Sequence, residues 1–126
     1  MAIDMIARTR TFALDIIRLY SGLPRTVIAQ TIGKQILRSG TSVGAHYREA
    51  YRSRSNAELV SKFEGGLQEL EETRYWIELL IESGVVLPDR AEALLKEVDE
   101  LTAIFVTCVR NVKRKAETKR RDLSHE

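Results

Sequence analysis

The sequence predicts an all-α protein, an antiparallel up-down-up-down four-helix bundle. Three observations carry this. Apolar residues recur at helical spacing through four long segments. The chain has only two prolines, and Pro24 and Pro88 each lie beside a short turn between segments. The last segment carries an unbroken heptad seam, the pattern of a long helix in a bundle. With 126 residues the chain makes one domain with a modest core. Short turns make sequential helices antiparallel neighbours.

The first helix is predicted over about 3–21, with Ile6, Ala13, Ile16, Ile17 and Tyr20 inward. Gly22 suits a left-handed cap, and Pro24 suits the opening of the next helix. The second runs over about 25–52, its inner stripe Ile28, Ile32, Ile36, Ser39, Val43 and Ala50. Ser55-Asn56-Ala57-Glu58 is a capping box and opens the third, about 55–83, which Gly84 stops. Val60, Phe63, Leu67, Leu70, Ile77 and Ile81 face inward there. The fourth covers about 88–117, leaving 118–126 as a basic, disordered tail. Its seam is Leu87, Ala91, Leu94, Val98, Leu101, Phe105, Cys108 and Val112. Leu95, Thr102 and Val109 widen that stripe and offer a flank to another subunit. Mid-helix glycines weaken a helix by about 1 kcal/mol each, so they mark close packing. Counting outward from the turn at Arg54 sets Gly44 opposite Glu64–Gly65 and Gly33 opposite Tyr75–Trp76.

Composition excludes several function classes. Net charge is only +2, but residues 113–121 are strongly basic and 58–100 lean acidic. A basic tail can contact phosphate, and cations also complement a helix C-terminus. The single cysteine, Cys108, lies in an apolar repeat and reads as a buried, inert thiol. There is neither a signal-peptide pattern nor an apolar run long enough for a bilayer, so a cytoplasmic protein with no membrane partner is expected.

No catalytic motif is present, and the expected protein is not an enzyme. Glu58, Glu64, Glu69, Glu71, Glu72, Glu78 and Glu82 line the third helix, yet the paired Glu-x-x-His motifs of a di-metal bundle are missing. His46 and Glu49 have that spacing in reverse, and His125 lies in the tail. Neither metal nor other cofactor is expected. Gly65-Gly66 follows no strand and is not a phosphate loop. Arg38, His46, Tyr47, Glu49, Glu72 and Trp76 form a candidate polar network that fixes helix register or a subunit interface. Candidate nucleic-acid-binding residues fall into two sets: Arg48, Arg52 and Arg54, with Lys62 nearby, and Arg110, Lys113, Arg114, Lys115, Lys119, Arg120 and Arg121. The two sets are expected at opposite ends of the bundle, as two patches or, in an assembly, two rings. Aromatic interleaving for base stacking is absent near the tail, so phosphate contact with weak sequence selectivity is expected.

Two stretches, Arg38-Ser39-Gly40-Thr41-Ser42-Val43-Gly44-Ala45-His46-Tyr47-Arg48-Glu49-Ala50 and Glu69 to Leu80, resemble the signature of the bacterial four helix bundle proteins, the family of the 23S rRNA intervening-sequence proteins. The resemblance spans about Ile6 to Val112. It implies an antiparallel four-helix bundle that associates as a homo-oligomeric ring, a pentamer in characterised relatives. Similar proteins serve as accessory subunits of diversity-generating retroelements, where they contact a reverse transcriptase and nucleic acid. The family usually has Asn where this chain has His46, and Lys where it has Gln68. The expected function is a non-enzymatic, oligomeric nucleic-acid-binding or accessory protein contacting RNA or a nucleoprotein. The alternative is a ring-shaped protein-interaction scaffold, for instance for a reverse transcriptase, that binds little nucleic acid. Salt-sensitive nucleic-acid binding separates the two.

Overall fold

In a computed structural model, residues 4–124 are described and fold into four helices. They are α1 (Met5–Ser21), α2 (Val27–Tyr51), α3 (Asn56–Glu82) and α4 (Pro88–Ser124). The start expected at residue 3 lies outside the described residues. Side-chain caps open three helices. The Ala7 N–H donates to Asp4 Oδ1 at 3.1 Å, Ala29 to Thr26 Oγ1 at 3.2 Å, and Glu58 to Ser55 Oγ at 3.1 Å. Each satisfies an amide that the helix leaves without a partner. Gly84 closes α3 with φ +79°, where the missing Cβ avoids a steric cost. Gly22 differs from expectation: its φ of −91° is right-handed, and its N–H continues the helical pattern to Arg18 O.

Neighbouring helices run in opposite directions. Between α2 and α3, Arg38 meets Glu72, Ser39 meets Thr73 and Glu49 meets Lys62, so numbers rise on one helix as they fall on the other. Gly40 faces Ile16 and Gly44 faces Thr9 across α1 and α2. Arg74 meets Asp99 and Glu64 meets Lys113 across α3 and α4. α2 packs most extensively on α3, and α1–α4 is a thin seam. A forked pair holds that seam: Arg8 Nη2 and Nε donate to the two Glu97 oxygens at 2.7 and 3.0 Å.

The core is continuous through Phe12, Ile16, Ile36, Val43, Leu70, Ile77, Leu80, Leu101 and Phe105. Three polar side chains are buried with it, each satisfied. Thr9 Oγ1 donates back to Met5 O at 2.8 Å. Thr73 Oγ1 donates to Glu69 O at 2.8 Å and lies 2.7 Å from Ser39 Oγ. With its one proton so engaged, Thr73 accepts from Ser39, and a buried hydrogen bond ties α2 to α3.

Several inner positions differ from expectation. On α1 the buried face is Met5, Thr9, Phe12 and Ile16, while Ile17 is 42% exposed. On α2, Ala29 is buried and Ile28 is 61% exposed. On α4 the seam holds from Ala91 to Phe105 but then moves to Val109, with Cys108 and Val112 half-buried and Leu87 exposed. A straight helix drifts about 20° per heptad against a seven-residue repeat, and four turns accumulate that drift. α4 also continues as helix to Ser124 instead of giving way to a disordered tail after 117.

Candidate nucleic-acid interface

Tracing directions locates the two basic sets. α2 descends, α3 ascends and α4 descends, so the α2–α3 turn and the C-terminal end of α4 lie at one end of the bundle. The expectation of opposite ends is corrected by this parity and by the Glu64–Lys113 pair at 3.6 Å. Counting back along α3 from Glu64 to its start, and equally forward along α4 from Lys113, brings Lys119, Arg120 and Arg121 level with Arg52 and Arg54. The first turn of α1 reaches the same end, where Ile6 lies beside Arg48 and Arg52.

Arg48, Arg52, Arg54, Arg110, Arg114, Lys115, Lys119 and Arg120 are all exposed, and among the described residues none has a carboxylate within ion-pair distance. Three other cations are partly neutralised. Lys113 faces Glu64, Arg121 pairs with Glu117 at 3.3 Å, and Lys62 pairs with Glu49 at 3.0 Å. The hydrogen bond from Lys62 holds the Glu49 carboxyl below the usual range. Among the described residues, Asp4, Glu49, Glu58, Glu64, Glu117 and Asp122 are the carboxylates on this end. The cations outnumber them, so the local potential is far more positive than the net charge of +2 suggests.

An aromatic trio supports the surface. Phe63 and Phe105 meet edge to face at 5.2 Å, and Tyr47 lies 6.0 and 6.1 Å from them. These rings join α2, α3 and α4 one to two turns inward of the cationic end. Burial pushes the Tyr47 phenol up in pKa. Gly66 makes the trio possible, because a Cβ there would come within 2.6 Å of the Phe105 ring.

Of the expected polar network only the Arg38–Glu72 link forms. Arg38 Nη2 donates to Glu72 at 2.9 Å and its Nη1 reaches Glu69 at 3.3 Å, on the rim between α2 and α3. Glu49 turns to Lys62, and Tyr47 joins the aromatic trio. His46 Nδ1 and Trp76 Nε1 are buried without a hydrogen-bond partner. The charged heads stay at the solvated rim while their stems pack, so they do not reach the rings. The buried polar link between these helices is instead Ser39–Thr73.

The glycines also serve different neighbours. Gly44 faces Thr9 and Gly33 faces Leu23 and Tyr20, all beyond the α2–α3 interface where they were expected to act. Gly65 does admit an α2 side chain, the His46 imidazole, whose Cε1 would lie 2.7 Å from a Cβ.

At the opposite end, α1, α4 and the two other turns enclose a cleft of about 700 Å³. Leu19, Leu23, Val86 and Leu94 give it apolar walls, with Arg18, Arg90 and Asp15 at the lining. Among the described residues, no three His, Cys, Asp or Glu side chains converge as a metal site, and no helix is long and apolar enough to cross a membrane.

Fold and surface together define a small helical bundle with one cationic end. The chain belongs to the 23S rRNA-intervening sequence protein family, whose family model matches residues 1–107. Among solved structures it is similar to a protein of unknown function from the S23 ribosomal protein family of Bacteroides thetaiotaomicron. The two are 32% identical with a TM-score of 0.74, over 82% of this chain and 96% of that one. No curated protein matches it.

Proposed function

We propose that the protein is a non-enzymatic nucleic-acid-binding protein whose cationic end contacts the phosphates of RNA. The observation that carries this is the meeting of two cation sets, far apart in sequence, on one end of the bundle with few carboxylates to neutralise them. The family's association with intervening sequences of 23S rRNA supports RNA as the partner. Phosphate contact releases counterions, so affinity falls steeply with salt.

Filter binding to structured rRNA fragments and random single strands, at two salt concentrations, tests the reading. Replacing Arg114, Lys115, Arg120 and Arg121 by Ala, or Arg52 and Arg54 by Ala, weakens binding of unrelated sequences alike. Each lost phosphate contact flattens the salt slope by about 1. Because the two sets share one end of the bundle, the combined variant loses more than either alone. No retention at low salt would overturn the proposal.

A second reading is favoured by the apolar cleft at the far end, which suits docking of a protein partner such as a reverse transcriptase. Self-association as a ring, a pentamer by family likeness, belongs with either reading. Ile17 and Leu14, each 42% exposed, leave apolar surface on α1 for it. The α4 flank expected for that role is largely used within the chain: Val109 is buried, and Leu95 and Thr102 are half-buried.

A further inference from the structure

We infer that Tyr51 is a base-stacking residue, and that the cationic end therefore takes unpaired nucleotides in preference to continuous duplex. The inference rests on the proposed nucleic-acid reading and adds the substrate class. Tyr51 ends α2 and is 72% exposed, although a tyrosine ring covers a large apolar area that folding normally hides. It lies one turn from the aromatic trio and takes no part in it. Its neighbours are chemically specific. A groove of about 270 Å³ is lined by Ile6, Arg48, Tyr51 and Arg52. Ile6 supplies an apolar wall, Tyr51 a π face, and two guanidiniums flank them without carboxylate partners among the described residues. Arg54 follows in the turn.

A nucleotide has matching parts. Its base is flat with apolar faces, and its phosphates sit on either side. A base inside a continuous duplex is stacked on its own neighbours and cannot reach Tyr51, whereas a single strand, loop or bulge can offer one. Stacking is tolerant of sequence because every base has a π face. The α4 cations at the same end would hold the strand's remaining phosphates.

The test is fluorescence anisotropy with a labelled, mixed-sequence single-stranded RNA and with the same strand annealed to its complement. Wild type, Tyr51→Phe, Tyr51→Leu and Tyr51→Ala are compared at two salt concentrations, with thermal melts to verify folding. Wild type should bind the single strand more tightly. Tyr51→Phe should retain that affinity. Tyr51→Ala and Tyr51→Leu should lose it by roughly five- to a hundredfold, the contribution of one base–aromatic stack, with the duplex affinity and the salt slope unchanged. Equal losses for strand and duplex, or no loss for the strand, would overturn the role of Tyr51 while leaving the cationic end intact. Wild type binding neither RNA at low salt would overturn the underlying reading, and this inference with it.

Discussion

Single residues set how closely the helices approach, and the glycines do so unequally. A Cβ on Gly40 would come within 2.6 Å of Ile16, and one on Gly66 equally near Phe105, both fully buried partners that cannot yield. A Cβ on Gly44 would lie 3.3 Å from the Thr9 hydroxyl, tight but tolerable. Replacing Gly by Ala in a helix gains about 1 kcal/mol of propensity. Overpacking costs about 1–3 kcal/mol. Gly40→Ala and Gly66→Ala are therefore expected to lower the melting temperature, and Gly44→Ala to leave it nearly unchanged. Gly44→Leu adds three further carbons against Thr9 of α1 and should destabilise where Gly44→Ala does not. Thermal denaturation followed by circular dichroism measures all four. Equal effects of the three alanine variants would refute the assignment of the close approaches.

At the scale of elements, the thin α1–α4 seam depends on Arg8. Its forked hydrogen bonds hold the Glu97 carboxyl below the usual range, outweighing the opposing effect of partial burial, and raise the Arg8 guanidinium further. A carboxyl depressed in the folded state stabilises above its unfolded pKa, and that contribution is lost as pH falls through the folded value. Acidification below the ordinary carboxylate range should thus loosen the seam by about 1 kcal/mol. Glu97→Gln should be less stable at neutral pH and lose less on acidification than wild type. Denaturant titrations at neutral and acid pH decide it; an unaltered acid response in Glu97→Gln would count against the pair. The forked pair was not legible in the sequence, because it joins the first helix to the fourth across most of the chain.

For the whole molecule, parity decides where charge accumulates. Four helices joined by short turns place the α2–α3 turn and the end of α4 together, and α4 is long enough to carry its cations to that level. At about 1.5 Å per residue, its 37 residues span about 55 Å against about 40 Å for the 27 of α3. Assembly would multiply this charge. Light scattering at micromolar concentration should give a mass several times 14.4 kDa. A monodisperse monomer would remove the ring from both functional readings.

The sequence by itself determined the helices, their order and most of their limits. The capping serine Ser55, the stop at Gly84 and the heptads from Ala91 to Phe105 are local signals, set by backbone sterics and by spacing along one helix. It also showed both cation sets. It did not determine which face of a helix lies centremost, because Phe12 and Ile17 both satisfy a helical period and only packing chooses between them. Nor did it show that polar Thr9 and Thr73 belong in the core, since what makes them tolerable is a hydrogen bond to the preceding turn. Beyond Arg38–Glu72 the polar network did not form for the same reason: proximity on adjacent helices does not decide whether a charged head turns to a neighbour or to water. Tyr51 was visible only as a residue at a helix end. Its place beside Ile6 and level with the α4 cations arises from three helices at once, and tertiary structure alone brings such distant segments to one surface.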